Sequence, residues 1–145
     1  MAAGARRILP DNEYEAVCFG MPTPQADVGL TNRYLAEAGR NAWIHPLMLA
    51  GKGLASPGEL EQALATRAYR GYKVFLNWYG DDYGERTIMD MLSPVEMEPA
   101  DRLGLIVLLH VPRAGRLADP VIQQGARALA RDYPNARIVL AQVRV

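Results

Sequence analysis

Five short aliphatic runs recur along the chain at nearly constant spacing, and no other feature narrows the fold as much. Ala16 to Gly20, Trp43 to Ala50, Tyr72 to Asn77, Leu105 to Val111 and Arg137 to Val143 are rich in valine, isoleucine, leucine and phenylalanine and read as strands. Their starts lie 27, 29, 33 and 32 residues apart. That interval fits a strand–helix–strand unit of roughly 30 residues and is too long for a hairpin, so it predicts a parallel sheet with helices packed on it. Pro46 interrupts the second run and makes it the least regular of the five.

Helix starts are written between the strands. Ser56-Pro57-Gly58-Glu59 sets a hydroxyl at the N-cap, proline where no amide hydrogen is needed, and a glutamate able to reach back to the cap. Ser93-Pro94-Val95-Glu96 repeats that chemistry, and Asp119-Pro120 opens a further helix with Val121, Ile122, Ala126 and Leu129 as its buried stripe, limited by Pro134. Thr31 to Ala38 predicts another helix, stopped by Gly39. Pro99 predicts that the helix from Pro94 is short, kinked or broken there.

Composition removes several classes of function. The chain has 145 residues, half of them hydrophobic, which suits one α/β domain over residues 1–145 with a real core. Sixteen basic and sixteen acidic residues cancel, so no global field draws in nucleic acid or an anionic membrane. One cysteine and two histidines exclude an internal disulfide and an all-His/Cys zinc site within one chain. The longest aliphatic stretch, Leu105 to Leu109, is far below the ~20 residues of a membrane span. Arg6 and Arg7 precede too short an apolar run for a secretory signal, and a cytoplasmic protein is expected.

Five parallel strands suit either a five-stranded doubly wound open sheet or five-eighths of a closed eight-stranded barrel. The last strand runs into the C-terminal residue with no helix after it. The sheet is therefore expected to keep an uncovered surface unless another segment or chain covers it, which leaves room for a homo-oligomer through open sheet edges.

The last strand units carry a resemblance. Leu105-Ile106-Val107-Leu108-Leu109-His110-Val111-Pro112, then Asp119-Pro120, then Asp132-Tyr133-Pro134-Asn135-Ala136-Arg137-Ile138-Val139-Leu140-Ala141, resembles the amidohydrolase-related family of metal-dependent hydrolases. Gly71-Tyr72-Lys73-Val74-Phe75 is similar to that family's preceding strand. The resemblance covers roughly Tyr72 to Ala141 and fits the earlier units only loosely. It implies a partial TIM-like barrel holding the family's second to sixth strands. It also implies a divalent metal, zinc or manganese, that activates water against an amide, ester or lactone carbonyl of a small-molecule substrate, or assists decarboxylation. On it, His110 matches a metal-ligand histidine. The family's first-strand histidine-x-histidine pair has no counterpart here. Its sixth-strand alanine-histidine reads Ala141-Gln142, and no eighth strand supplies the usual aspartate. A truncated or frameshifted product with little or no hydrolytic activity is the expectation.

Other residues carry weaker signals. Trp78, Tyr79, Asp81, Asp82 and Glu85 follow the third strand, where aromatics and carboxylates suit a substrate rim as well as a solvated turn. Arg113 and Arg116 are candidates to grip a substrate carboxylate. Lys73 lies too deep for a metal-bridging role and reads as packing or an ion pair. His45 and Cys18 read as structural. Gly51-Lys52-Gly53-Leu54-Ala55-Ser56 joins a strand to a helix, the setting of a phosphate-cradling loop and equally of a simple turn, and underlies the alternative of a nucleotide-binding or non-catalytic α/β domain.

Overall fold

A computed structural model describes residues 13–21, 23–80, 82 and 84–141. All five expected strands form: β1 (Ala16–Cys18), β2 (Ile44–Leu49), β3 (Gly71–Val74), β4 (Ile106–His110) and β5 (Arg137–Ala141). They make one parallel, curled, open sheet in the order β1-β2-β3-β4-β5. Each strand therefore pairs with its sequence neighbour. The order contains no reversal of the kind at which a doubly wound sheet opens its ligand crevice.

The helices follow from their caps. Asp27 Oδ1 accepts from Leu30 N at 2.8 Å and starts α1 (Val28–Ala38) three residues before Thr31. Ser56 and Glu59 form the reciprocal box on α2 (Pro57–Ala65). On the four-residue α3 (Ile88–Met91), which no sequence signature above announces, Asp90 Oδ2 accepts from Thr87 N and Thr87 Oγ1. On α4 (Pro94–Leu103), Glu96 Oε2 accepts from Ser93 N and Ser93 Oγ, and on α5 (Pro120–Asp132) Asp119 Oδ1 accepts from Val121 N.

Two prolines act differently from expectation. The α4 helix runs on through Pro99 to Leu103 instead of breaking. Pro99 is buried beside Met97 and Ala100, and that burial together with the Ser93–Glu96 cap offsets the one backbone hydrogen bond a proline removes. Pro46 sits inside β2 with its carbonyl accepting from Arg70 N at 2.9 Å. The N–H it lacks faces the same neighbour, one residue ahead of the first β2–β3 pair of Leu47 with Gly71, so no rung of that ladder is lost. Gly39 ends α1 as expected, but at φ −66° and not in the left-handed region. Glycine is needed there because a Cβ would stand 2.6 Å from the Pro46 ring.

The core lies on one face of the sheet. Met48, Tyr72, Val74, Val107 and Leu109 point there and pack against Leu35, Leu60, Leu64, Met97, Ile122 and Leu129 from the helices. Val121, expected in the α5 stripe, is exposed, while Ile122 and Leu129 are buried. The alternate residues Leu47, Leu49, Lys73, Phe75, Leu108 and His110 form the inner face of the curled sheet, with Leu47, Leu49, Lys73 and Phe75 buried. Towards the sheet edges that face opens, with Val17 52%, Phe19 42% and Val139 45% exposed. Two polar anchors fix the connections. Asn32 exchanges hydrogen bonds with both Leu49 N and Leu49 O, tying α1 to the end of β2. Asp101 receives Asn135 N and Ala136 N, holding the Tyr133-Pro134 turn that feeds β5. No helix among the described residues is long and apolar enough to cross a membrane.

Candidate functional site

His110 ends β4 on the inner face, with Ala141 of β5 opposite it and Phe75 on the other side, ring centroids 6.5 Å apart. A cavity of about 460 Å³ opens at this end of the strands, lined by Gln25, Leu76, Asn77, Gly80, His110 and Arg116 among others. The C-terminal ends of parallel strands are where barrel and open-sheet proteins alike gather their chemistry, because the loops there are free to vary.

The electrostatics of this corner are cationic. Burial first, then the nearby Lys73 ammonium and Arg116 guanidinium, push the His110 imidazole down to about 4. It is a neutral ring at pH 7, and its Nδ1 is buried without a hydrogen-bond partner. Lys73 is itself buried and pushed down to about 8 by loss of solvent. Its Nζ donates to Val74 O at 3.0 Å and lies 4.2 Å from the Phe75 ring centre, so packing and a cation–π contact hold it. No carboxylate pairs with it among the described residues. Arg116 adopts φ 49° and donates from Nη1 to Val111 O, which turns it back over the end of β4.

The other expected site residues separate from this pair. Arg113 is engaged: its Nε meets Asp119 Oδ2 at 2.7 Å and its Nη1 donates to Glu85 O at 3.1 Å, strapping the loop after β4 to the loop after β3. The Asp119 contact holds its pKa up, and the same contact holds the Asp119 carboxyl down. Tyr79 donates to Met91 O at 3.1 Å and packs over Gly51, where a Cβ would stand 2.2 Å from its hydroxyl; burial drives its pKa up. Trp78 is half-buried in a 3-10 turn (Leu76–Trp78), with its indole N–H buried and unpartnered. Asp82 pairs with Arg86 on the surface. Asp81 and Gln142 lie outside the described residues. Cys18 is a half-buried free thiol against the core, and His45 pairs with Glu15 at 2.5 Å near the opposite end of the sheet.

The glycine loop is a turn. Lys52 N donates to Met91 O and Leu54 N to Gly51 O, while Ser56 N is taken by its own Glu59, so these amides are spent within the protein and are not offered to a phosphate. Phe75 and Gln25 are site residues that no sequence motif marks, whereas Asn77 opens the rim segment that runs on to Glu85. Alternation from Lys73 would have found Phe75, since residues two apart in a strand share a face.

Among the described residues no group of three His, Cys, Asp or Glu side chains stands together to hold a metal ion. The charged groups acting on His110 are both cations, which repel a divalent ion. The described residues therefore do not supply the ligand set for the zinc or manganese that the resemblance implies. No protein-family profile, curated protein or solved structure matches the chain.

Proposed function

We propose that this chain is part of an amidohydrolase-type eight-stranded barrel, that the cavity beside His110 takes a small organic substrate with an amide, ester or lactone carbonyl, and that the chain by itself turns such substrates over weakly or not at all. The observation that carries the reading is the position of His110: the end of a strand, on the inner face of the curled sheet, beside a cavity that it shares with Arg116. A singly wound sheet with helices on one face only is the arrangement from which such a barrel is built. The Tyr133-Pro134-Asn135 turn, held by Asp101, brings in the strand beside His110.

In that site Arg116 would orient a carbonyl or carboxylate oxygen through its fork of N–H donors. His110 would offer a neutral imidazole to exchange a proton with the substrate. Weak activity follows from the donor set, since a zinc hydrolase needs about three protein ligands and His110 is one.

The coding sequence on both sides, read in all three frames, tests the family assignment. A histidine-x-histidine pair upstream and a histidine-glycine-arginine continuation downstream are expected; finding neither overturns it. The purified chain, assayed on amides, esters and lactones with added zinc or manganese, tests the second part. Turnover that needs the metal and vanishes in His110→Ala would show that the chain is a competent enzyme alone.

A further inference from the structure

The end of the sheet opposite His110 holds a larger cavity, about 790 Å³, within the size range of small-molecule sites. Its apolar lining includes Val17 and Ile106 of the inner face, with Leu64, Leu103 and Leu105 from the helix side. Arg67, Arg70, Arg102 and Arg137 also line it, against one lining carboxylate, Glu61. Glu61 is already committed to Arg102, with Oε1 2.5 Å from Nη2. His45 also lines the cavity and is held by Glu15. Arg67, Arg70 and Arg137 pair with no carboxylate among the described residues.

Each of these three arginines springs from pinned backbone. Arg70 N donates to Pro46 O and its carbonyl accepts from Ile106 N, so the residue is fixed between β2 and β4 just before β3. Arg137 N donates to Leu105 O at 2.8 Å at the first residue of β5. Arg67 N donates to Leu64 O just past the end of α2, with φ 55°. The left-handed region costs a side-chain-bearing residue roughly 1 kcal/mol, and such strain clusters at ligand clamps and active sites. Arginines from three separate elements thus line one cavity, with no carboxylate partner among the described residues. Ordinary surface arginines complementing helix C-termini would account for Arg67 and Arg102, but Arg70 and Arg137 stand at strand starts.

We propose that this cavity binds an organic phosphate, with the phosphate held by Arg67, Arg70 and Arg137 and an apolar or aromatic body resting on Val17 and Ile106. Guanidinium forks match phosphate oxygens in pairs, and a dianion answers an excess of three positive charges better than a monocarboxylate does. The site lies at the other end of the strands from His110 and stands independently of the hydrolase reading.

Calorimetry on the full chain with phenyl phosphate, inorganic phosphate and phenol, at matched ionic strength, tests it. Phenyl phosphate is expected to bind more tightly than either fragment. Arg137→Gln and Arg67→Gly are each expected to weaken it by about tenfold, the size of a charge-assisted hydrogen bond. Glycine relieves the backbone at position 67, so that variant folds at least as well as the parent and its loss of binding is a loss of the guanidinium. Arg86→Gln, in the loop after β3 at the other end of the strands and paired with Asp82, is expected to bind like the parent. No heat with phenyl phosphate at millimolar concentration, equal affinity in the arginine variants, or phenol binding as tightly as its phosphate ester would each overturn the proposal.

Discussion

Lys73 and His110 lie on the same inner face of adjacent strands, two residues apart in register, and the buried ammonium helps to keep the imidazole neutral. Removing the charge should therefore be felt by the ring. In Lys73→Met the His110 titration is expected to move up from about 4 towards the ordinary 6.5. With two histidines in the chain, the ring C–H resonances followed by NMR against pH give the answer directly. A titration that stays put would assign the whole depression to burial and Arg116.

The same depression makes stability depend on pH. Between about 4 and 6.5 the unfolded chain binds a proton at His110 and the folded chain does not. Its contribution is therefore fully present above pH 6.5 and is lost as the pH falls towards 4. Carboxylates held low by hydrogen bonds, such as Asp90 with Thr87 and Asp119 with Arg113, act in a lower window, below their ordinary value of 3.8. Melting curves at pH 7, 5.5 and 4.5 should show Tm falling through this range, and His110→Gln should flatten the fall. An equally steep fall in the variant would place its cause elsewhere.

Much of this fold was legible because it rests on local chemistry. Ser56–Glu59, Ser93–Glu96 and Asp119 cap the helices that their sequence signatures announce, and all five aliphatic runs are strands. What stayed hidden depends on contacts between distant residues. Pro99 is tolerated through its burial, and Gly39 is set by the ring of Pro46. At the rim, sequence treated Arg113 and Arg116 as a pair. Asp119 and Glu85, six residues downstream and 28 upstream, decide that Arg113 is a strap while Arg116 lines the cavity.

Gly71 is the position where substitution should do the most damage for the fewest atoms. Its φ is 155° and a Cβ would stand 1.8 Å from Ile106 O, a backbone atom inside the β3–β4 ladder that cannot move aside. Gly71→Ala is expected to cost about 3 kcal/mol or more. Gly53→Ala serves as the comparison, since φ there is 84° but nothing lies within 4 Å. That change should cost only about 1 kcal/mol, the left-handed conformation alone. Urea denaturation of both variants measures the difference, and similar costs would mean that the clash at Ile106 is relieved by a shift of the strands.

Tyr72 is buried in the core with its hydroxyl unpartnered, and burial together with the Glu96 and Glu61 carboxylates drives its pKa up. Tyr72→Phe keeps the ring and removes an unsatisfied polar group. It is expected to stabilise the chain by about 1 kcal/mol, the low end of the desolvation cost of a lone hydroxyl. Calorimetric melting would register this as a higher Tm, by about 2–4 °C for a chain of this size. A lower Tm would mean that the hydroxyl has a partner such as a buried water.

Arg113 combines two opposing terms that a pair of variants can separate. Its guanidinium bonds half-buried Asp119 and the Glu85 carbonyl, whereas its backbone stands at φ 65°, where a residue with a Cβ is strained. Arg113→Ala loses the contacts and keeps the strain; Arg113→Gly loses the contacts and releases it. Glycine at this position should therefore be more stable than alanine by about 1 kcal/mol, the reverse of their order inside a helix. Both should fall below the parent, because Asp119 is left half-buried without its cation while still capping α5. Equilibrium unfolding of the three proteins gives the two differences separately. Alanine equal to or better than glycine would show that the loop relaxes out of the left-handed region once the strap is cut.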